Sequence, residues 1–263
     1  MPLIDKLFSD LAGGLKGIFA DNQPWTALDN LKHYIRQVIA PNIEGVFQPG
    51  IPLVSPVILL PEGYMAEGFE IVCNDGTKGM IEVWIQGERV PQASLICAGV
   101  VFTNDQIQIG SGVIMEPGAM VKGPAIIGDD TEVRQGAYVR GDCLVGKGCV
   151  IGHATEVKHS ILMDGAKAGH FAYIGDSILG RDVNLGAGAK LANLRFVHGN
   201  VTIEMEDGPV DTGRHKLGAI LGDNVQTGCN SVTNPGAIIG KGSFVAPLAT
   251  VRPGFYRPHS VIR

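Results

Sequence analysis

A six-residue period constrains this chain more than any other feature. Starting at Ile109, every sixth residue is aliphatic or methionine for nine consecutive positions, ending at Val157. An α-helix repeats about every 3.6 residues and a β-strand every 2, so neither element alone produces this pattern. Most residues four positions further on are small, and glycine often follows the aliphatic residue. Short extended segments joined by tight turns predict a solenoid in which three hexads form one triangular coil.

The period also predicts the dimensions of this solenoid. Coils that hydrogen-bond to each other lie about 4.8 Å apart, so roughly seven coils form a prism on the order of 35 Å long. Its interior holds the aliphatic side chains and has no room for a ligand, which must bind outside. Residues 195–219 interrupt the period, and we expect them to form a loop extruded from one corner. Long loops on regular scaffolds frequently carry function.

The glycine distribution predicts two regions. Residues 1–109 contain 11 of the 37 glycines and residues 110–263 contain 26, which places the boundary near residue 108. In the N-terminal extension, residues 25–40 put apolar side chains on one helical face before Pro41, and residues 3–19 show a weaker helical pattern. Residues 50–107 contain short strand-like runs that predict either imperfect first coils or a small β cap. Residues 109–263 are the predicted solenoid domain.

Charge and composition exclude several classes of partner. The formal net charge is −5, which argues against a nucleic-acid groove or an anionic membrane as the main partner. No apolar run approaches the roughly 18 residues that span a bilayer. Asp5 and Asp10 lie where a signal peptide would be apolar, so we expect a cytoplasmic protein. Five cysteines without a CxxC pair indicate neither a disulfide framework nor a zinc site.

Two basic residues in the repeat suggest an anion site. Arg140 and Lys158 are 18 residues apart, which makes them neighbours on successive coils. Two cations about 5 Å apart repel each other unless an anion lies between them. The alternative is a solvated face on which Glu156 is the partner. The spacing leaves both interpretations open.

Residues 126–251 resemble a known family. The segments that carry the resemblance are TEVKHSILMDGAKAGHFAYIGDSILG, NLGAGAKLANLRF and DTGRHKLGAILGDNV. They are similar to the hexapeptide-repeat acetyltransferase half of bifunctional N-acetylglucosamine-1-phosphate uridylyltransferase/glucosamine-1-phosphate N-acetyltransferases, and GRHKLGA and ANLRF resemble the archaeal-type sugar-1-phosphate nucleotidylyltransferase branch. The resemblance implies an all-β solenoid, specifically a left-handed parallel β-helix, that assembles as a homotrimer with active sites between subunits.

The resemblance also implies roles for individual residues. His170 matches the general base, a role that suits neutral imidazole near neutral pH, and the backbone N–H of Ala187 matches the group that faces the thioester oxygen. The residues that match the sugar-phosphate ligands are Arg140, Lys158, Tyr173, Asn184 and Asn193. Of these, the first two match phosphate ligands, the tyrosine a phosphate or sugar contact, and the two asparagines contacts to hydroxyls and the amine.

Some positions depart from the family pattern. Leu194 replaces a tyrosine, and Pro247 replaces a small residue near the acetyl-CoA arm. Cys229 stands where a serine near the same arm is usual, although we favour a small buried corner residue there. Arg214 and Lys216, in the extruded loop, are candidates for anion contacts to acetyl-CoA. Residues 1–108 are too short for a nucleotidylyltransferase domain.

Three functions follow as hypotheses. The first is an acetyl-CoA-dependent N-acetyltransferase that acts on an amino-sugar 1-phosphate such as glucosamine 1-phosphate, without a metal. The second is a non-catalytic trimeric module that binds a sugar nucleotide or acts as a scaffold. The third is a metal hydratase resembling the γ-class carbonic anhydrases, although His153, His159 and His170 lack the spacing of that class.

Overall fold

Three short helices open the chain in the computed structural model, which describes residues 2–11, 15–19, 22–75, 80–205 and 207–263. They are α1 (Leu3–Leu7), α2 (Leu15–Ile18) and α3 (Thr26–Val38). The helix predicted over residues 25–40 is confirmed as α3, which ends where Ile39 turns extended. The weaker pattern over residues 3–19 yields two helices rather than one. None of the three has the length and apolarity needed to cross a bilayer.

Five strands then form an antiparallel β cap, and residues 94–109 form a first coil, so both structures predicted for this region occur. The cap strands are β1 (Val57–Leu60), β2 (Gly63–Met65), β3 (Glu70–Asp75), β4 (Met80–Ile85) and β5 (Glu88–Arg89). Strand β1 pairs with β2 and with the first solenoid strand, and β3–β5 form a separate sheet.

The remaining strands build the solenoid, except for β23 (Thr202–Met205) and β24 (Gly208–Asp211), which belong to the extruded loop. In chain order they are β6 (Ser94–Ile96), β7 (Val101–Phe102), β8 (Ile107–Ile109), β9 (Ile114–Met115), β10 (Met120–Val121), β11 (Ala125–Ile127), β12 (Glu132–Val133), β13 (Tyr138–Val139), β14 (Cys143–Val145), β15 (Val150–His153), β16 (Glu156–Lys158), β17 (Ile161–Leu162), β18 (Lys167–His170), β19 (Tyr173–Gly175), β20 (Ile178–Leu179), β21 (Asn184–Leu185), β22 (Lys190–Leu191), β23 (Thr202–Met205), β24 (Gly208–Asp211), β25 (Ala219–Leu221), β26 (Gln226–Thr227), β27 (Val232–Thr233), β28 (Ala237–Ile239), β29 (Phe244–Val245), β30 (Thr250–Val251), β31 (Gly254–Tyr256) and β32 (Val261–Ile262).

Successive coils stack as three parallel sheets. Face 1 contains β6, β9, β12, β15, β18, β21, β26, β29 and β32; face 2 runs from β7 to β30 and face 3 from β8 to β31. Eight coils are complete and β32 begins a ninth, more than the roughly seven predicted, because β6–β8 already form a coil. The composition boundary near residue 108 therefore lies within the first coil. The predicted parallel β-solenoid is confirmed, whereas its left-handed sense and the division into two domains stay predictions.

The hexad aliphatic residues fill the interior, as predicted. Val121, Val139 and Val157, one hexad position on successive coils, have no exposed surface. Burying a side chain of this size stabilises the fold by about 1.5–3 kcal/mol. Because these side chains fill the prism, ligands have access only to its outer surface.

The N-terminal helices and the extruded loop cover face 3. Its outward-facing isoleucines, Ile161, Ile178, Ile220 and Ile238, are fully buried beneath them. The loop predicted at residues 195–219 is confirmed: β23 and β24 form an antiparallel hairpin that leaves the edge between faces 2 and 3 after β22 and rejoins at β25. Outward side chains of the middle coils therefore meet solvent on faces 1 and 2.

Candidate functional site

Four of the predicted site residues lie in one line along the edge between faces 1 and 2. The Gly188 N–H donates to the His170 carbonyl at 3.1 Å, so Ala187 follows His170 one coil later. Asn230 N–H donates to the Ala187 carbonyl at 2.8 Å and Leu248 N–H to the Cys229 carbonyl at 2.9 Å. These bonds stack His170, Ala187, Cys229 and Pro247 on four successive coils. The predicted base, oxyanion donor and coenzyme contacts thus share one edge.

The imidazole of His170 is exposed and has no hydrogen-bond or ion-pair partner among the described residues. It lies beside Phe171, whose ring centroid is 6.3 Å away. Phe171 has a φ of 35°, a conformation that non-glycine residues rarely adopt. Its ring lies over Gly188, where an added Cβ would be 3.3 Å from Phe171 Cε2. The imidazole nitrogens are therefore free to meet a ligand from solvent.

Ala187 supplies a hydrogen-bond donor at the same edge. Its carbonyl accepts from Asn230, but its N–H finds no acceptor in the part of the chain that the structure describes. A Cβ on the preceding Gly186 would lie 2.5 Å from the Gly228 carbonyl carbon, so glycine permits this close approach of successive turns. An unpaired backbone N–H can donate to a ligand oxygen.

Arg140 and Lys158 are neighbours on face 2, as their spacing predicts. Val139 pairs with Val157, and the Arg140 N–H donates to the Val157 carbonyl at 2.8 Å. Arg140 Nη1 lies 2.5 Å from Glu156 Oε1, a hydrogen bond that raises the pKa of the guanidinium. Lys158 Nζ lies 3.0 Å from Asp176 Oδ2. Each cation therefore already has a carboxylate partner, and Glu156 is the partner of Arg140.

Asp176 is a functional candidate that the sequence reasoning did not single out. It lies at the edge between faces 2 and 3, and its side chain is only 5% exposed. Burial opposes ionisation of this carboxyl, but hydrogen bonds from His159, Asn193 and Lys158 outweigh that effect and hold its pKa below the usual range. Asp176 directly follows Gly175, the residue in register with Lys158, so its place beside Lys158 could be found from the sequence once the 17-residue spacing of these coils is allowed for.

The structure places two predicted coenzyme contacts away from the others. Arg214 hydrogen-bonds to Asp29 of α3, and its Nη2 lies 3.8 Å from Asp176 Oδ1. Lys216 pairs with Leu194 in an isolated antiparallel bridge. Both lie by the edge between faces 2 and 3, whereas Cys229 and Pro247 lie along the edge between faces 1 and 2. Within one chain, the loop cations therefore cannot join that line.

The expectation for Cys229 needs correction. Cys229 is exposed rather than a buried corner residue, because its turn projects from the edge. The predicted sugar ligands lie on two different faces. Asn184 points outward from face 1. Tyr173 lies on face 2, where its Oη is 3.3 Å from Asn193 Oδ1. One chain does not bring the two asparagines together.

The three histidines of the hydratase hypothesis also do not converge. His153 and His170 pair on the edge between faces 1 and 2, where His153 Nδ1 is 2.9 Å from the Gln135 carbonyl. His159 lies at the other edge of face 2, 2.9 Å from Asp176 Oδ1. No three His, Cys, Asp or Glu side chains within the described ranges are grouped as a metal site requires.

An apolar groove of about 700 Å³ lies on face 2 beside the loop. Leu194, Phe196 and Val197 line one side, and all three are strongly exposed. Arg252 and Asn234 line the other side. The period could not predict this groove, because the loop that forms it interrupts the repeat.

Comparison with known proteins gives consistent matches to the repeat region. Residues 121–238 match the family described as the GMPPB C-terminal domain. A bifunctional sugar-1-phosphate nucleotidylyltransferase/acetyltransferase of Sulfurisphaera tokodaii is 44% identical over 101 residues, which cover 38% of this chain and 25% of that protein. The bifunctional protein GlmU of Methanococcus maripaludis is 43% identical over 94 residues, covering 36% and 23%.

Another relative matches a longer segment. The bifunctional protein GlmU of Thermodesulfovibrio yellowstonii is 29% identical over 223 residues, which cover 83% of this chain and 42% of that protein. The chain thus spans between about a quarter and two fifths of the length of these relatives. The repeat region is thus similar in sequence to the GMPPB C-terminal domain and to part of the bifunctional sugar-1-phosphate nucleotidylyltransferase/acetyltransferases, as its motifs indicated.

Proposed function

We propose that this protein is an acetyl-CoA-dependent N-acetyltransferase that acts on an amino-sugar 1-phosphate such as glucosamine 1-phosphate. The observation that carries the proposal is the line of residues along the edge between faces 1 and 2. It presents the His170 imidazole one coil away from the Ala187 N–H, and neither group has a hydrogen-bond partner within the described ranges. The name of the Sulfurisphaera tokodaii relative, which includes the word acetyltransferase, supports the same reaction.

The chemistry follows from these two groups. His170, as neutral imidazole, accepts a proton from the sugar ammonium, and the freed amine attacks the thioester carbonyl carbon. The Ala187 N–H donates to the oxygen that becomes negative as the new C–N bond forms. The attacking nitrogen loses its second proton to solvent water and the C–S bond breaks, while the proton held on His170 passes to the leaving thiolate. The products are the N-acetylated sugar phosphate and free coenzyme A.

Arg140 and Lys158 are suited to the phosphate. The Lys158 ammonium has three N–H donors and uses one on Asp176, so two remain for a ligand. The pair between Arg140 and Glu156 is at the surface, with the arginine side chain 42% exposed. Such a surface pair contributes little stability, so a substrate phosphate can displace the Glu156 carboxylate. Lys158 and Arg140 would then bind the phosphate from face 2.

Two copies are needed to complete this site. Gly175, the position in register with Lys158, lies five positions after His170, a span of at most about 16 Å, so the base and the phosphate ligands of one chain lie at opposite edges of face 2. Asn184 lies on face 1, beyond the base. If face 1 of one copy meets face 2 of the next, these groups converge. We infer a homotrimer, in which three such contacts close a ring.

The test is the release of free thiol from acetyl-CoA in the presence of a panel of amino-sugar 1-phosphates. A general base contributes about 10²–10⁴ in rate, so His170→Ala should lower kcat by that factor and leave the KM for acetyl-CoA unchanged. His153→Ala is the matched control, because His153 is exposed on the same edge one coil earlier. It should retain nearly the full rate.

Two results would contradict the proposal. Full activity of His170→Ala would remove His170 as the base. Absence of thiol release by the wild-type protein with every amino-sugar phosphate would favour the second hypothesis, a trimeric module that binds sugar nucleotides without catalysis.

A further inference from the structure

The carboxylate of Asp176 organises several polar side chains at the edge between faces 2 and 3. Its Oδ1 accepts from His159 Nδ1 at 2.9 Å. Its Oδ2 accepts from Lys158 Nζ at 3.0 Å and from Asn193 Nδ2 at 2.5 Å. Two of these three partners are candidate sugar-phosphate ligands. Asp176 itself is 3% exposed, so it acts through its partners rather than on a ligand.

The contact with Asp176 fixes the orientation of the Asn193 amide. An ionised carboxylate only accepts hydrogen bonds, so the amide must turn its NH₂ group toward Asp176. Asn193 Oδ1 then faces Tyr173 Oη, 3.3 Å away. An amide oxygen only accepts, and therefore the single phenolic proton of Tyr173 is donated to Asn193. The lone pairs of the Tyr173 oxygen are left for a ligand.

Gly175 makes this contact possible. It lies between Lys158 and the tyrosine–asparagine pair, in register with Lys158. A Cβ at Gly175 would lie 2.6 Å from Tyr173 Oη and 2.7 Å from Asn193 Nδ2. Because any larger residue would push the two side chains apart, the backbone is built to hold them together.

We propose that Asp176 is a positioning residue that sets the hydrogen-bond polarity of the sugar site. Through Asn193 it makes Tyr173 an acceptor, and it holds Lys158 as a donor on the same face. A ligand that fits therefore places an anion against Lys158 and a hydroxyl donor against Tyr173. This inference rests on the proposed function and deepens it, because it assigns Tyr173 to a sugar hydroxyl rather than to the phosphate.

The selectivity can be measured with substrate analogues. A deoxyfluoro sugar has a fluorine in place of one hydroxyl, and fluorine cannot donate a hydrogen bond. The test uses a panel of deoxy and deoxyfluoro analogues of glucosamine 1-phosphate. At one hydroxyl position, we expect both the deoxy and the deoxyfluoro analogue to bind the wild-type protein roughly tenfold or more weakly than the parent sugar. If Tyr173 were the donor, the deoxyfluoro analogue would retain more affinity than the deoxy analogue.

Variants then connect this selectivity to Asp176. In Asp176→Asn the amide of Asn193 is free to turn. The roughly tenfold loss of affinity on replacing that hydroxyl should therefore shrink to about twofold. The KM for acetyl-CoA should stay unchanged. Tyr173→Phe removes only a hydroxyl group and should show the same shrinkage, which keeps the test valid if Asp176→Asn folds poorly. Asp29→Asn is the control, since it removes the other partner of Arg214 but leaves Asp176, Asn193 and Tyr173 in contact. It should keep the wild-type pattern.

The outcomes separate this inference from the proposed function. Suppose that the wild-type protein binds and acetylates glucosamine 1-phosphate, but that each analogue loses the same affinity for Tyr173→Phe as for the wild type. This result overturns the role of Asp176 and leaves the proposed acetyltransferase activity in place. Deoxyfluoro analogues that bind as well as the parent sugar at every hydroxyl position also overturn that role. A wild-type protein that neither binds nor acetylates the sugar phosphate overturns both.

Discussion

At the residue scale, glycines on the outside of the coil decide how closely successive turns approach. Gly152 and Gly169 occupy the same position on neighbouring coils, just before the edge that holds His170. A Cβ added to Gly152 would overlap the Gly169 carbonyl oxygen, whereas a Cβ added to Gly169 would meet nothing within 4 Å. Two glycines that look equivalent in the repeat therefore have different physical constraints.

This difference gives a prediction with its own control. Gly152→Ala must push a backbone carbonyl aside and should lower the free energy of unfolding by about 1–3 kcal/mol or more. Gly169→Ala should change it by less than about 1 kcal/mol, because the methyl group has space and the unfolded chain loses entropy. Urea unfolding of both variants tests this, and equal losses would show that the coils relax around the added methyl group.

Asp176 gives a pH dependence at the same scale. Its folded-state pKa is lowered, so its hydrogen bonds contribute stability above the unfolded value of about 3.9, and that contribution is lost as pH falls through the folded-state value. We expect wild-type unfolding free energy to decline below about pH 4 more steeply than that of Asp176→Asn. Asp105→Asn, at an exposed loop, should follow the wild-type curve. Parallel curves for wild type and Asp176→Asn would contradict the prediction.

At the scale of elements, α3 is held to face 3 by apolar contacts. Leu28, Leu31 and Ile35 have no exposed surface, and they belong to the same core cluster as the outward isoleucines of face 3. The helix therefore stabilises the solenoid from outside, and the solenoid stabilises the helix. A 13-residue helix is marginal in water by itself.

Truncation of one contact tests this packing. Leu31→Ala leaves a cavity between the helix and face 3 and should lower the free energy of unfolding by about 2–5 kcal/mol. The neighbouring Lys32 is exposed, and Lys32→Ala should stay within about 0.5 kcal/mol of the wild type. Thermal unfolding monitored by circular dichroism measures both. A small effect of Leu31→Ala would mean that α3 can detach from the solenoid.

At the scale of the whole molecule, the separation between His170 and Lys158 predicts shared sites. We expect light scattering to give about three times 27.8 kDa at micromolar concentration. Mixed trimers provide a sharper test: His170→Ala and Lys158→Ala chains, each inactive alone, should regain activity when co-refolded. If each site takes one residue from each of two neighbours, about a quarter of the sites are intact at equal mixing. Mixtures that stay inactive would place the whole site within one chain.

The sequence alone determined the solenoid, its extruded loop and the line of residues on one edge. A fixed six-residue period assigns each side chain to a face or an edge, so the positions of Val157 inside and of Arg140 beside Lys158 follow from counting. Counting must allow for the 17-residue coils after residue 143, which bring Gly175 into register with Lys158 and place Asp176 next to it. The positions of His170 and Ala187 on successive coils were accessible in the same way.

Only the tertiary structure decided which surfaces remain open and which charges are already paired. The amphipathic pattern of α3 shows that one side of the helix must be buried, but it does not show which surface buries it. The structure shows that the outward isoleucines of face 3 form this surface. The six-residue period ends at the loop, so counting along the repeat could not predict that Arg214 approaches Asp29 and Asp176. Hydrogen-bond polarity at Asn193 depends on atomic distances across three coils, and no repeat in the sequence encodes those distances.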